Sequence, residues 1–190
     1  MRRRTGLTLV ALISGAIVVL AIGSYATADS GKKNVSTGAM SGFLEGAPGP
    51  VSTGATGSFE ATIDDSGNGA IHYTLTFQGL EGTVTQSHIH FGQRSVSGGI
   101  SAWLCGTGTT QPLAGPPGTP TCPGPNDGTI ADTIVPADVI GPTGQGIVAG
   151  EFGELVAAIR AGRAYANVHS SMFPAGEIRG QINDDNQRDD

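Results

Sequence analysis

Between residues 58 and 78, on either side of a polar turn, apolar side chains recur at every second position, the period of a strand with one face buried. In GSFEATIDD, residues Phe59, Ala61 and Ile63 alternate with Ser58, Glu60, Thr62 and Asp64. After the turn DDSGNG, the stretch AIHYTLTFQGL places Ile71, Tyr73, Leu75 and Phe77 on one face and His72, Thr74 and Thr76 on the other. Two such runs joined by a short Asp/Gly/Asn turn predict a hairpin with one wet face. TVTQSHIHF, GISAWLC and GTIADTIV continue the strand pattern, and AYANVHS and GEIRGQI predict a closing hairpin around a Pro/Gly loop. The period changes once. In EFGELVAAIRAG the apolar residues Phe152, Leu155, Val156 and Ile159 follow helical spacing, and Gly162 suits the left-handed position after a last turn. The pattern therefore predicts an all-β fold, an antiparallel β-sandwich with one short helical insertion.

Alternation also assigns directions to the histidines. Ile89 and Phe91 claim the core, so His88 and His90 share the opposite face, predicted to be solvent-facing. Residues i and i+2 of a strand lie about 6.5 to 7 Å apart, close enough for two imidazoles to converge on one ion. If Val168 and Ile178 are the inward pair of the closing hairpin, His169 lies outward opposite Glu177, with Arg179 on the same face. Alternation alone does not bring this hairpin beside the His88 strand. His72 reads as an ordinary surface residue, and Trp103, next to Cys105, as core packing against a disulfide.

The ends of the chain change the picture in three ways. MRRRT followed by the uncharged run GLTLVALISGAIVVLAIGSYA and by Ala26-Thr27-Ala28 makes residues 1–28 a signal peptide or an uncleaved N-terminal membrane anchor. The protein is expected to be secreted or extracytoplasmic, with the membrane touched only through that segment. Residues 29–40 read as a linker, 41–183 as the β-sandwich domain and 184–190 as an acidic tail. Without residues 1–28 the chain carries 7 basic against 16 acidic residues, which argues against nucleic acid as a partner. Cys105 and Cys122, the two cysteines, are expected to pair in an oxidising compartment and to close the Gly/Pro/Thr-rich segment between them. No Ser-His-Asp context and no phosphate-binding glycine loop is present.

The segments SGFLEGAPGPVSTGATGSFEATI, YTLTFQGLEGTVTQSHIHFG and AYANVHSSMFPAGEIRGQI together resemble the CHRD domain family, the module repeated in chordin, over residues 40 to 183. The resemblance implies an immunoglobulin-like or superoxide-dismutase-like sandwich in which the two histidine-bearing segments come close. A more distant similarity is to copper/zinc superoxide dismutase, in which a His-x-His strand and a later Val-His bind copper. His88, His90 and Val168-His169 match that set in type and order, whereas the bridging histidine and the zinc loop have no counterpart.

Two functional readings follow. In the first, the protein is not an enzyme but an exported module that binds or adheres to a protein or cell-surface partner, and the histidines form a neutral polar network with Arg179 paired to Glu177. In the second, His88, His90 and His169 hold copper or zinc, with Glu177 as a fourth ligand or supporting acceptor. A redox enzyme built on that ion is a remote third.

Overall fold

The computed structural model describes residues 34–46, 49–108 and 113–183. The membrane-directed segment 1–28 and the acidic tail 184–190 lie outside the described residues. Eight strands form two four-stranded sheets: β1 (Asn34–Ser36), β2 (Thr56–Asp64), β3 (Ala70–Gln78), β4 (Val84–Phe91), β5 (Gly99–Gly106), β6 (Gly128–Ile134), β7 (Ala164–Ser170) and β8 (Ile178–Ile182). The first sheet has the order β1-β2-β3-β6 and the second β5-β4-β7-β8, with antiparallel pairing throughout. This is the expected all-β sandwich.

The alternating residues meet between the sheets. Phe59, Ile63, Ile71, Leu75 and Phe77 from the first sheet and Ile89, Ala102, Leu104, Ala166, Val168 and Ile178 from the second are all buried. Tyr73 shows why a polar tip is tolerated here: its hydroxyl donates across the sandwich to the Leu104 carbonyl at 2.6 Å. His72 is exposed on the other face of the first sheet and bonds Thr133, as its strand position implies.

The single α-helix, α1 (Phe152–Arg160), buries Phe152, Leu155, Val156, Ala158 and Ile159. Phe152 sits against Gly69 in the β2–β3 turn, and Arg160 bonds Asp65 in the same turn, so the helix covers that end of the sandwich. Gly162 takes the left-handed conformation at φ 65° just beyond the helix. Cys105 and Cys122 form a disulfide.

The segment expected to be a linker is partly structural. Asn34–Ser36 pairs with β2, Met40 is fully buried, and Ser41 bridges to Arg179 on β8. A polar, short-side-chain segment carries little periodicity, so three paired residues at a sheet edge left no mark in the pattern.

Candidate metal centre

The second sheet brings the two histidine segments together, because β4 and β7 are hydrogen-bonded neighbours. His88 lies opposite Asn167 and His90 opposite Tyr165, while His169, two residues after Asn167, comes diagonally alongside His88. On the other side of β4, the pairing with β5 shifts register between Ser87 and His88 and again between Ile89 and His90. Such irregularities bend a strand locally and re-aim its side chains. The result is a cluster in which His88 meets the other two rings edge to face, with centroids 4.9 Å apart for His88–His169 and 5.3 Å for His88–His90, while His90 and His169 are 6.4 Å apart. One ring nitrogen from each of the three falls within a group whose members are all within 4.8 Å of one another.

The face they share is not open to solvent. His88, His90 and His169 are 1, 8 and 6% exposed, against the outward, wet face that alternation predicts. Alternation fixes the side of the sheet, and loops then cover that side. Gly98 on the β4–β5 connection lies over His90, Pro174 in the β7–β8 loop lies over His169, and the half-buried Trp103 of β5 stands edge-on to His88 at 4.3 Å. Trp103 is thus a wall of the histidine cluster and not, as its sequence neighbours suggest, core packing against the disulfide.

Burial determines the protonation of the cluster. Removal from water holds His88 near 2, with His169 and His90 adding to the effect, and holds His90 and His169 near 4. All three rings are therefore neutral at physiological pH, each with one N–H and one lone pair. His90 Nδ1–H donates to the Gly98 carbonyl at 2.9 Å and His169 Nδ1–H to the Pro174 carbonyl at 3.0 Å, which leaves both Nε2 lone pairs free. His88 Nδ1–H then donates to His169 Nε2 at 3.2 Å. His88 Nε2, His90 Nε2 and the Asn167 Oδ1 beside them are buried without a hydrogen-bond partner. Moving the His88 proton to Nε2 lets it donate to Asn167 Oδ1, but His90 Nε2 then stays an unpaired buried acceptor and His88 Nδ1 and His169 Nε2 face each other as two lone pairs, which is costly without a shared cation.

The two other residues expected at this site stand elsewhere. Glu177 is fully buried, but one carboxylate oxygen accepts from Thr53 Oγ1 at 2.9 Å and from the Glu81 N–H at 2.8 Å, away from the histidines. Arg179 does not pair with it. Its guanidinium donates to the carbonyls of Val96 and Gln93 and to Gln181 Oε1, and lies over the Tyr165 ring at 3.3 Å. Val168 and Ile178 do oppose each other, but Glu177 precedes the first residue of β8, where the chain is already turning toward Thr53. Tyr165 stacks on His90 at 4.7 Å with its rings 2° from parallel. The same alternation that places His169 puts Tyr165 and Asn167 on its face, so both were within reach of the sequence pattern. The carbonyls of Gly98 and Pro174 were not, since they come from loops.

The molecule is thus a disulfide-closed antiparallel β-sandwich that encloses three neutral histidines on the outer side of one sheet. The family model of the CHRD domain matches residues 33–182, and the chain belongs to that family. No match was found among curated proteins or among solved structures. Family membership and the disulfide fit an extracellular module, and no helix among the described residues is long and apolar enough to cross a membrane.

Proposed function

We propose that this protein is an extracellular binding module in which His88, His90 and His169 hold one copper or zinc ion. The observation that carries the reading is the convergence of three buried, uncharged imidazoles whose nitrogens lie within 4.8 Å of one another. Around an ion at about 2.0 to 2.1 Å from each nitrogen, the ligands lie about 3 to 4 Å apart, so the widest pair has only about 1 Å to close. Hydrogen bonds from Nδ1 to backbone carbonyls fix His90 and His169 as Nε2 ligands, the usual way a protein orients a metal-binding imidazole. His88 completes the set through Nδ1, its proton passing to Nε2 where the Asn167 carbonyl oxygen accepts it. One tautomer change and one ion would thereby partner all three orphaned atoms.

The test is metal content after purification without chelators, followed by thermal unfolding with added ion. Free metal at about a hundred times Kd stabilises by about 2.7 kcal/mol, or about 5 to 11 °C in a domain of this size. His90→Ala should lose most of that gain. Absence of both metals together with an unmoved melting temperature would remove this reading.

A second reading, partner binding without metal, draws on a shallow polar depression on the outer face of the first sheet, lined by Glu60, Thr62, His72, Thr74 and Thr133. This face is far from the histidines in the fold, on the opposite sheet. A binding role there would survive every substitution in the cluster.

A further inference from the structure

If the histidine cluster is a metal site, its charge environment selects among ions. The three donors are neutral, and no carboxylate or thiolate belongs to the convergent group among the described residues. Both cysteines are tied in the disulfide. The buried Arg179 guanidinium lies over one face of the Tyr165 ring while His90 stacks on that ring, whereas the fully buried Glu177 carboxylate is turned away toward Thr53 and the Glu81 N–H. Glu45, the acid that interacts with Arg179, is held up to about 7 by burial and so supplies only part of a negative charge at neutral pH. Trp103 and the two covering loops leave the three rings only 1, 8 and 6% exposed.

The cost of placing an ion in such surroundings rises with the square of its charge, and the repulsion from Arg179 rises in proportion to it. A divalent ion in a site of uncharged donors keeps its full charge in a poorly solvated interior. A monovalent ion bears about a quarter of that self-energy, and three nitrogen ligands without water satisfy cuprous copper, whereas a three-histidine zinc site normally keeps a fourth position for water.

We infer that the cluster is selective for monovalent copper over divalent zinc, because it offers three buried neutral nitrogens near a buried guanidinium and no carboxylate or thiolate among the converging groups. This rests on the metal-site reading above. The tryptophan at the site makes it measurable: Trp103 is the only tryptophan in the chain and stands 4.3 Å from His88, so its fluorescence reports occupancy of this cluster.

The experiment titrates the full domain, with ascorbate present, against copper(I) buffered by bicinchoninate, and separately against zinc(II) buffered by a chromogenic chelator. A solvent-exposed peptide carrying three histidines serves as reference. The expected result is one copper(I) per chain with quenching of Trp103, and a copper(I)-to-zinc(II) preference on the order of a hundredfold or more above that of the peptide. Equal or smaller preference than the peptide, with both ions quenching Trp103 and both lost in His90→Ala, overturns the selectivity while leaving the metal site standing. Failure of both ions to bind overturns the two together. X-ray absorption of the copper(I) form should show three nitrogen scatterers; a four-coordinate site with bound water would contradict the exclusion of water on which the selectivity depends.

Discussion

Arg179 is the residue on which the geometry of His90 turns. It is 1% exposed, among the largest fully buried side chains of the domain, and its charge is met by backbone carbonyls instead of by a close carboxylate. Those carbonyls belong to Gln93 and Val96, in the connection whose Gly98 orients His90. Tyr165 cannot present the same face to a guanidinium at 3.3 Å and to a parallel imidazole at 4.7 Å, so its ring lies between Arg179 and His90. Tyr165 also accepts the Gly98 N–H, closing the circuit. Gly98 has no room for a side chain, since a Cβ there would meet the Phe91 carbonyl oxygen at a distance no real contact shows. Arg179→Lys keeps the charge but loses the planar fork that reaches two carbonyls. It should cost about 2 to 3 kcal/mol in urea unfolding, because buried carbonyls lose their donors, and should also weaken metal-linked stabilisation by freeing the His90 loop. Unchanged metal response in a destabilised Arg179→Lys protein would show that the loop does not position the histidine.

At the level of elements, the sequence pattern carried the strands further than it carried the site. Period-2 alternation placed β2, β3, β4 and the β7–β8 hairpin, and the inward pair Val168–Ile178 is the observed register. Helical spacing found α1 in the same way. The seam between β4 and β7 follows from topology, which no local pattern contains, and it entered through family resemblance. Burial of the histidine face was illegible for a different reason: alternation says which side a residue faces, whereas cover is supplied by irregular segments with no period. One of these is the disulfide-bounded segment. Gly115 within it packs on Trp103, and Trp103 packs on His88, so the cystine tethers the outermost layer over the cluster. The double substitution Cys105→Ser with Cys122→Ser should cost about 3 kcal/mol by releasing that closed loop. Its second signature is spectroscopic: Trp103 emission should shift to longer wavelength as the segment lifts away. A destabilised double variant whose emission stays fixed would mean that Trp103 is held by β5 alone.

For the whole molecule, the buried titrating groups set the response to acid. In the unfolded chain His88, His90 and His169 take protons near 6.5, whereas in the fold burial holds them near 2, 4 and 4. Between pH 6.5 and about 4 the unfolded state therefore binds up to three more protons, and stability falls as pH falls. Glu45 works in the opposite sense. Burial raises its carboxyl from 4.5 to about 7, so between those values the folded state holds one proton more than the unfolded state, and stability rises as pH falls. Three against one leaves a net of about two protons near pH 5.5, equivalent to about 2 to 3 kcal/mol lost per pH unit. Urea midpoints of chelator-treated protein at pH 7.5, 6.5, 5.5 and 4.5 should be nearly level between the first two and then drop steeply. His169→Gln removes one of the three protons and should make the drop shallower by about 1.4 kcal/mol per pH unit, while Glu45→Gln removes the opposing group and should make it steeper by a similar amount. A level profile down to pH 4.5 would show that the imidazoles accept protons without unfolding, and so that the cluster is open to water. Saturating metal should raise the whole profile but leave its slope between pH 6.5 and 4.5 nearly unchanged, because the folded rings hold no protons there for the ion to displace; only as pH falls toward about 4 do protons compete with the ion for the nitrogens and steepen it.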